Sequence, residues 1–395
     1  MNKDEIKKLD QEYIMPTYGR YDVCFTHGKG VFLYDGEGRE YVDFASGIGV
    51  TCLGYGNPAW VAAVSRQAQT LSHVSNLFYT EPCVKAAKKL TELSGMSNVF
   101  FANSGTEANE GAIKLARKYS HDKYGKGRST IVGLSQSFHG RTLASLSATG
   151  QEALHDHFFP FVDGFRWAVP NDLDSLKAAV DGQVCAILLE GVQGEGGVLP
   201  LTQEFVKGAF ALAKEKDVLL IFDEVQTGVG RTGDFYSYQG LGVLPDIVTT
   251  AKGLGGGLPI AGVLAGEACK EVLGPGTHGA TYGANPICSA GALAVLDIVG
   301  QPDFLKEVKA KGEFIMDTVS AWNLPAVKEV RGKGLMIGIQ LASAEPKEVV
   351  KALLAQGLVT LTAGKDVLRL LPPLVVNRGE IERGLEILKE GLNHF

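Results

Sequence analysis

Apolar positions change rhythm along the chain. Between residues 20 and 60, short apolar runs alternate with turns: Val31-Phe32-Leu33-Tyr34, Asp35-Gly36-Glu37-Gly38-Arg39, then Tyr41-Val42-Asp43-Phe44. That pattern predicts an N-terminal β-meander. From about residue 83 the period lengthens. Val84, Ala87, Leu90 and Leu93 predict a helix over 83–94, followed by strand Asn98–Ala102, helix 106–119 and strand Thr130–Leu134. Later apolar runs predict strands at Val184–Leu189, Val218–Phe222, Asp246–Thr250 and Ala261–Ala265. Continuous apolar strands separated by helices point to an α/β fold with a mostly parallel sheet buried on both faces. A helix over 285–300 leads out of it, and the remainder mixes helices with short strands such as Gly334–Gln340. The expected division is 1–62, an N-terminal segment; 63–285, a large domain; and 286–395, a smaller α+β domain.

Composition adds mainly exclusions. The chain has 395 residues, ample for a large core, and a net charge of −6, which provides no global field for nucleic acid. Cys24, Cys52, Cys83, Cys185, Cys269 and Cys288 show no Cys-x-x-Cys spacing and read as free thiols in a reducing cytoplasm. No metal site is expected. Met1–Asp10 lacks an apolar core, and no run is long enough to span a membrane.

Open parallel sheets bind ligands beyond the carboxyl ends of their strands. Three predicted strands lead there into an ionisable residue: Glu190, Asp223 and Lys252. A fourth leads into Asn103-Ser104-Gly105-Thr106, where a helix begins. Taken alone, Ser104 or Thr106 serves as an N-cap, but the same helix start also offers a phosphate seat. Phosphate seat, acid and amine on one rim are what pyridoxal phosphate requires: a lysine for its aldehyde and an acid to keep its pyridine nitrogen protonated. The glycines of Lys252-Gly253-Leu254-Gly255-Gly256-Gly257 let backbone approach such a ligand closely.

These motifs together resemble the class III (ω-amino) aminotransferases of pyridoxal-phosphate fold type I, and most closely their acetylornithine subgroup. The resemblance covers nearly the whole chain. It runs through Met15-Pro16-Thr17-Tyr18-Gly19-Arg20, Asn103–Glu110, Ser137-Phe138-His139-Gly140-Arg141-Thr142, Asp223-Glu224-Val225-Gln226-Thr227-Gly228, Lys252–Gly257 and His278–Pro286. It implies a seven-stranded, mostly parallel sheet flanked by helices, and a homodimer with shared active sites. It also implies roles. Gly105 and Thr106 would hold the phosphate, with Thr281 from the other subunit. Phe138 and Val225 would cover the two ring faces, Asp223 would meet the ring nitrogen and Gln226 the ring hydroxyl. Lys252 would hold the cofactor's aldehyde and then move the substrate proton. Arg141 would bind the donor's α-carboxylate. Glu195 would mask Arg369 while the amine donor is bound, then swing away so that Arg369 can grip 2-oxoglutarate. A static bridge between domains is the plainer alternative for that pair.

The resemblance implies transfer of the δ-amino group of N-acetylornithine to 2-oxoglutarate, a step of arginine biosynthesis. Succinylornithine, ornithine and γ-aminobutyrate are the alternative donors. Ile48 stands where ornithine enzymes carry a tyrosine for the free α-amino group, which favours an acylated donor. Ala280 cannot supply the hydrogen bond often found before Thr281, and Gly191 replaces a frequent proline, which is expected to loosen its loop. Gly228-Val229-Gly230-Arg231-Thr232-Gly233 matches a dinucleotide fingerprint, but five residues separate it from the strand and no clear helix follows. It reads as an interface loop, and His155-Asp156-His157 as a solvated one.

Overall fold

The computed structural model describes residues 1–395. Its centre is a seven-stranded sheet. The strands run in the order Asn98–Ala102, Ala261–Ala265, Ile247–Thr250, Leu219–Asp223, Val184–Leu189, Thr130–Leu134 and Phe165–Ala168. Only Ala261–Ala265 runs against its neighbours. The inner strands are buried end to end, as their unbroken apolar runs require. Phe165–Ala168 was not anticipated. It is a four-residue edge strand with a half-buried Arg166 and an exposed Trp167, so it has no apolar run to read.

The helix Gly105–Tyr124 crosses one face of the sheet. It buries Ala108, Ala112, Ile113 and Ala116 against the central strands. Glu81–Ser94 and Pro286–Val299 pack together on the other apolar cluster.

The N-terminal meander forms from Phe25–Lys29, Phe32–Asp35 and Glu40–Asp43. Its edge is completed by Leu358–Val359, which pairs in parallel with Val42 and Asp43. A separate antiparallel sheet of the C-terminal part orders Val327–Lys333, Met336–Leu341, Val367–Leu370 and Leu361–Ala363.

Two loop expectations change. The Gly228–Gly233 stretch forms turns, and its Arg231 is almost wholly buried within the chain itself. Its Nη1 donates to the carbonyls of Leu335 and Pro372 at 3.0 and 2.6 Å. His155 is not simply solvated: its Nε2 lies 2.9 Å from the Leu146 carbonyl, and its ring sits beside Phe161 and Trp167. No single helix is long and apolar enough to cross a membrane.

Candidate active site

Strand order brings the sequence-predicted rim residues together. Leu219–Asp223 lies between Val184–Leu189 and Ile247–Thr250, so Glu190, Asp223 and Lys252 leave three adjacent strands on the same side. A cavity of about 450 Å³ opens there. Gly105, Thr106, Phe138, Arg141, Asp223, Val225, Gln226 and Lys252 all line it.

One end of the cavity is the start of the Gly105–Tyr124 helix. Ser104 caps it, accepting from the Glu107 N–H at 3.3 Å. The N–H groups of Gly105 and Thr106 have no partner in the chain and carry the positive end of a 20-residue helix. The N-cap and anion-seat readings therefore coexist. Only the backbone N–H of Thr106 is left free, because its hydroxyl already meets Thr142 Oγ1 and Ser145 Oγ and accepts from the Arg141 N–H. A Cβ on Gly105 would stand 2.5 Å from Val225 Cγ1, so Val225 would have to shift to admit one.

The acid is organised more fully than the sequence suggested. Asp223 Oδ2 accepts from Asn109 Nδ2 at 2.7 Å and lies 2.8 Å from His139 Nδ1, while Oδ1 accepts from the Val225 N–H at 3.0 Å. Burial opposes a charge on His139, yet Asp223 outweighs it and raises the imidazole above its ordinary value. Burial pushes Glu190 up to about 7 against the pull of His139, and its Oε1 accepts from the Phe138 N–H at 2.9 Å. Asn109 and His139 had no assigned role in the sequence reading.

Lys252 has a left-handed backbone, φ 45°, at the start of the Lys252–Gly255 turn. Burial pulls its ammonium below the ordinary lysine value, with Glu195 opposing and Arg369 assisting. That favours a neutral amine, the form that attacks an aldehyde.

Beside Lys252, Arg369 Nη1 and Nη2 reach Glu195 Oε1 and Oε2 at 2.6 and 3.2 Å. Gln226 bridges them, donating to Glu195 at 3.1 Å and accepting from Arg369 at 2.9 Å. Burial works against ionisation of Glu195, but Arg369 outweighs it and holds the carboxyl below its usual range.

Gly191 is not loose. It is buried, its carbonyl accepts from the Leu201 N–H, and a Cβ on it would stand 2.0 Å from Ser237 Oγ. Ile48 and Thr281 do not line the cavity and are both exposed. Ile48 belongs to a turn in which Ser46, Gly47, Ile48 and Gly49 all have positive φ. The turn is pinned by Asp43 Oδ1, which accepts from the Ala45 and Ser46 N–H groups, and by Ser46 Oγ, which donates to the Leu371 carbonyl. A β-branched residue at φ 67° is strained. The turn packs against Lys252–Gly255.

The donor set fits pyridoxal phosphate: a free pair of helix-end N–H groups, a half-buried lysine and a buried carboxylate border one cavity. Residues 13–392 match the family described as aminotransferase class-III. The chain belongs to the class-III aminotransferases. Among relatives, it is 50% identical to the acetylornithine aminotransferase of Haemophilus ducreyi over 397 residues, covering 100% of both chains. Among solved structures, the ornithine aminotransferase of Toxoplasma gondii superposes with a TM-score of 0.95 at 30% identity, covering 99% of this chain and 95% of that one. The N-acetylornithine aminotransferase of Stenotrophomonas maltophilia gives 0.85 at 34% identity, covering 98% of each. The cofactor of this class-III enzyme is pyridoxal phosphate.

Proposed function

We propose that this class-III aminotransferase transfers the δ-amino group of N-acetylornithine to 2-oxoglutarate, giving N-acetylglutamate 5-semialdehyde and glutamate. One observation carries the reading: Lys252, Asp223 and the Gly105–Thr106 N–H groups border one cavity, with a closed Glu195–Arg369 pair alongside. Pyridoxal phosphate, when bound, supplies an aldehyde and a protonated ring that accepts the electron pair released at the amine-bearing carbon.

The chain's residues do the rest. The N–H groups of Gly105 and Thr106 hold the phosphate, and Thr281 joins them from a second copy. Phe138 and Val225 cover the ring faces and exclude water. Asp223 keeps a proton on the ring nitrogen, and Gln226 meets the ring hydroxyl. Lys252 holds the aldehyde, then carries the proton removed from the donor. Arg141 binds the donor's α-carboxylate. Glu195 masks Arg369 in the donor half-reaction and uncovers it for the second carboxylate of 2-oxoglutarate. Ile48 lies outside the cavity, in the strained turn that packs against Lys252–Gly255, and brings no polar partner there for a free α-amino group, which accords with an acylated donor.

A homodimer accords with exposed Leu77, Phe78 and Tyr79, at 87, 65 and 101%, and with Thr281 lying outside its own chain's cavity. A cytoplasmic location and the division at residues 62 and 285 belong to the same proposal. Steady-state rates with N-acetylornithine, succinylornithine, ornithine and γ-aminobutyrate test the substrate. N-acetylornithine should have the highest kcat/KM, and a higher value for ornithine or γ-aminobutyrate would overturn the assignment.

A further inference from the structure

Three hydrogen bonds to one side chain set Asn109 apart from the rest of its helix. It is buried, at 2% exposure, on the face that otherwise presents Ala108, Ala112 and Ala116 to the sheet. One amide N–H donates to Asp223 Oδ2 and the other to the His139 carbonyl, both at 2.7 Å. The amide oxygen accepts from Thr249 Oγ1 at 2.8 Å. The opposite amide orientation would turn its oxygen toward two acceptors, so the network fixes which way the group points. A helix, two strands and the Ser135–Arg141 loop are thereby tied to a single carboxylate.

Counting acceptor positions gives this network a chemical meaning. An ionised carboxylate has about four lone-pair sites. Asn109 and His139 occupy both on Oδ2, and the Val225 N–H occupies one on Oδ1. The site left over is on Oδ1, in a residue that lines the cavity. We propose that Asn109 is a positioning residue for the ring acid: with Thr249 behind it, it saturates Asp223 Oδ2 and leaves one position on Oδ1 for the pyridine N–H.

This inference rests on the cofactor reading above and adds a part to it. Asn109 donates more strongly to the ionised carboxylate than to the neutral acid, so it helps keep the proton on the ring rather than on Asp223. Without that donor, the buried Oδ2 keeps only His139 as a partner, and the less satisfied carboxylate competes more strongly with the ring nitrogen for the shared proton. Thr249 acts one step further back, by preventing the amide from turning.

The test uses the holoenzyme reconstituted with cofactor labelled with nitrogen-15 in the ring, in wild type, Asn109→Leu and Thr249→Val. Thr249→Val keeps the side-chain shape and removes only the hydroxyl, so it serves if Asn109→Leu fails to fold. The ring-nitrogen chemical shift should move toward the unprotonated value in Asn109→Leu and part of the way in Thr249→Val. The single-turnover rate of the donor half-reaction should fall about ten- to a hundredfold in Asn109→Leu, with donor KM little changed. Asn109→Gln, which retains the amide, should recover part of the shift. A ring nitrogen as protonated as wild type in every folded variant would overturn the proposal. Failure of the wild type to bind the cofactor would instead defeat the underlying functional reading.

Discussion

Arg369 meets Glu195 through two contacts, one from each terminal nitrogen to each carboxylate oxygen, and its side chain is 3% exposed whereas that of Glu195 is 29% exposed. The asymmetry leaves Glu195 with more room than the enclosed Arg369, as the proposed unmasking requires. Glu195→Gln should leave Arg369 without its charged partner and open to a dicarboxylate. We expect glutamate KM to fall about tenfold and the preference for N-acetylornithine over glutamate to shrink by a similar factor. Half-reaction kinetics with each amine separately measure both. Unchanged discrimination would make the pair a static brace.

Gly191 and Ser237 lie far apart in sequence but within a Cβ radius of each other in space. Ser237 cannot yield freely, since its Oγ donates to the buried Glu224 at 2.6 Å. Gly191→Ala should therefore cost about 1–3 kcal/mol through overpacking. Thermal or urea unfolding reads this directly. Adding Ser237→Gly removes both the Oγ and the Cβ that the new methyl would meet, at 2.0 and 2.7 Å, so the double variant should lose less than the sum of the two singles. Strict additivity would mean that the loop moves aside without cost.

Glu224 titrates in the accessible range. Burial pushes its carboxyl up to about 7, although Ser237, Thr227 and the Tyr238 N–H all donate to it. The folded state thus holds this proton more tightly than an unfolded glutamate with its ordinary value of 4.5. The resulting stabilisation is full below that ordinary value and is lost as pH rises through about 7. Glu224→Gln carries no such titration. The Tm of wild type should fall relative to that variant between about pH 5 and about pH 8. A constant difference across that interval would show that the carboxyl is ionised throughout.

Legibility in the sequence followed how local each signal was. Val184–Leu189 and Leu219–Asp223 are unbroken apolar runs, and their burial matches them residue by residue. The ionisable groups after them were readable because a charge following such a run is a local event. Phe165–Ala168 was not readable, because an edge strand has few contacts to impose a pattern. Asn109 had a signal that went unused: it is a polar residue on the face of a helix that is otherwise small and apolar. Gly191 had none. Its constraint comes from Ser237, which the fold brings against it from a later part of the same domain, and the loop expected to be slack is tightly packed. The full coordination of Asp223 was equally hidden, since it draws on residues from a helix, a loop and its own turn.

The parallel pairing of Val42 and Asp43 with Leu358 and Val359 joins the two ends of the polypeptide. During synthesis the first of these segments emerges more than three hundred residues before the second. Until then the Glu40–Asp43 edge has no partner and remains open to pairing with another nascent chain. The N-terminal sheet is thus among the earliest parts translated but among the late ones to be closed, which leaves that edge for a chaperone to shield in the interval.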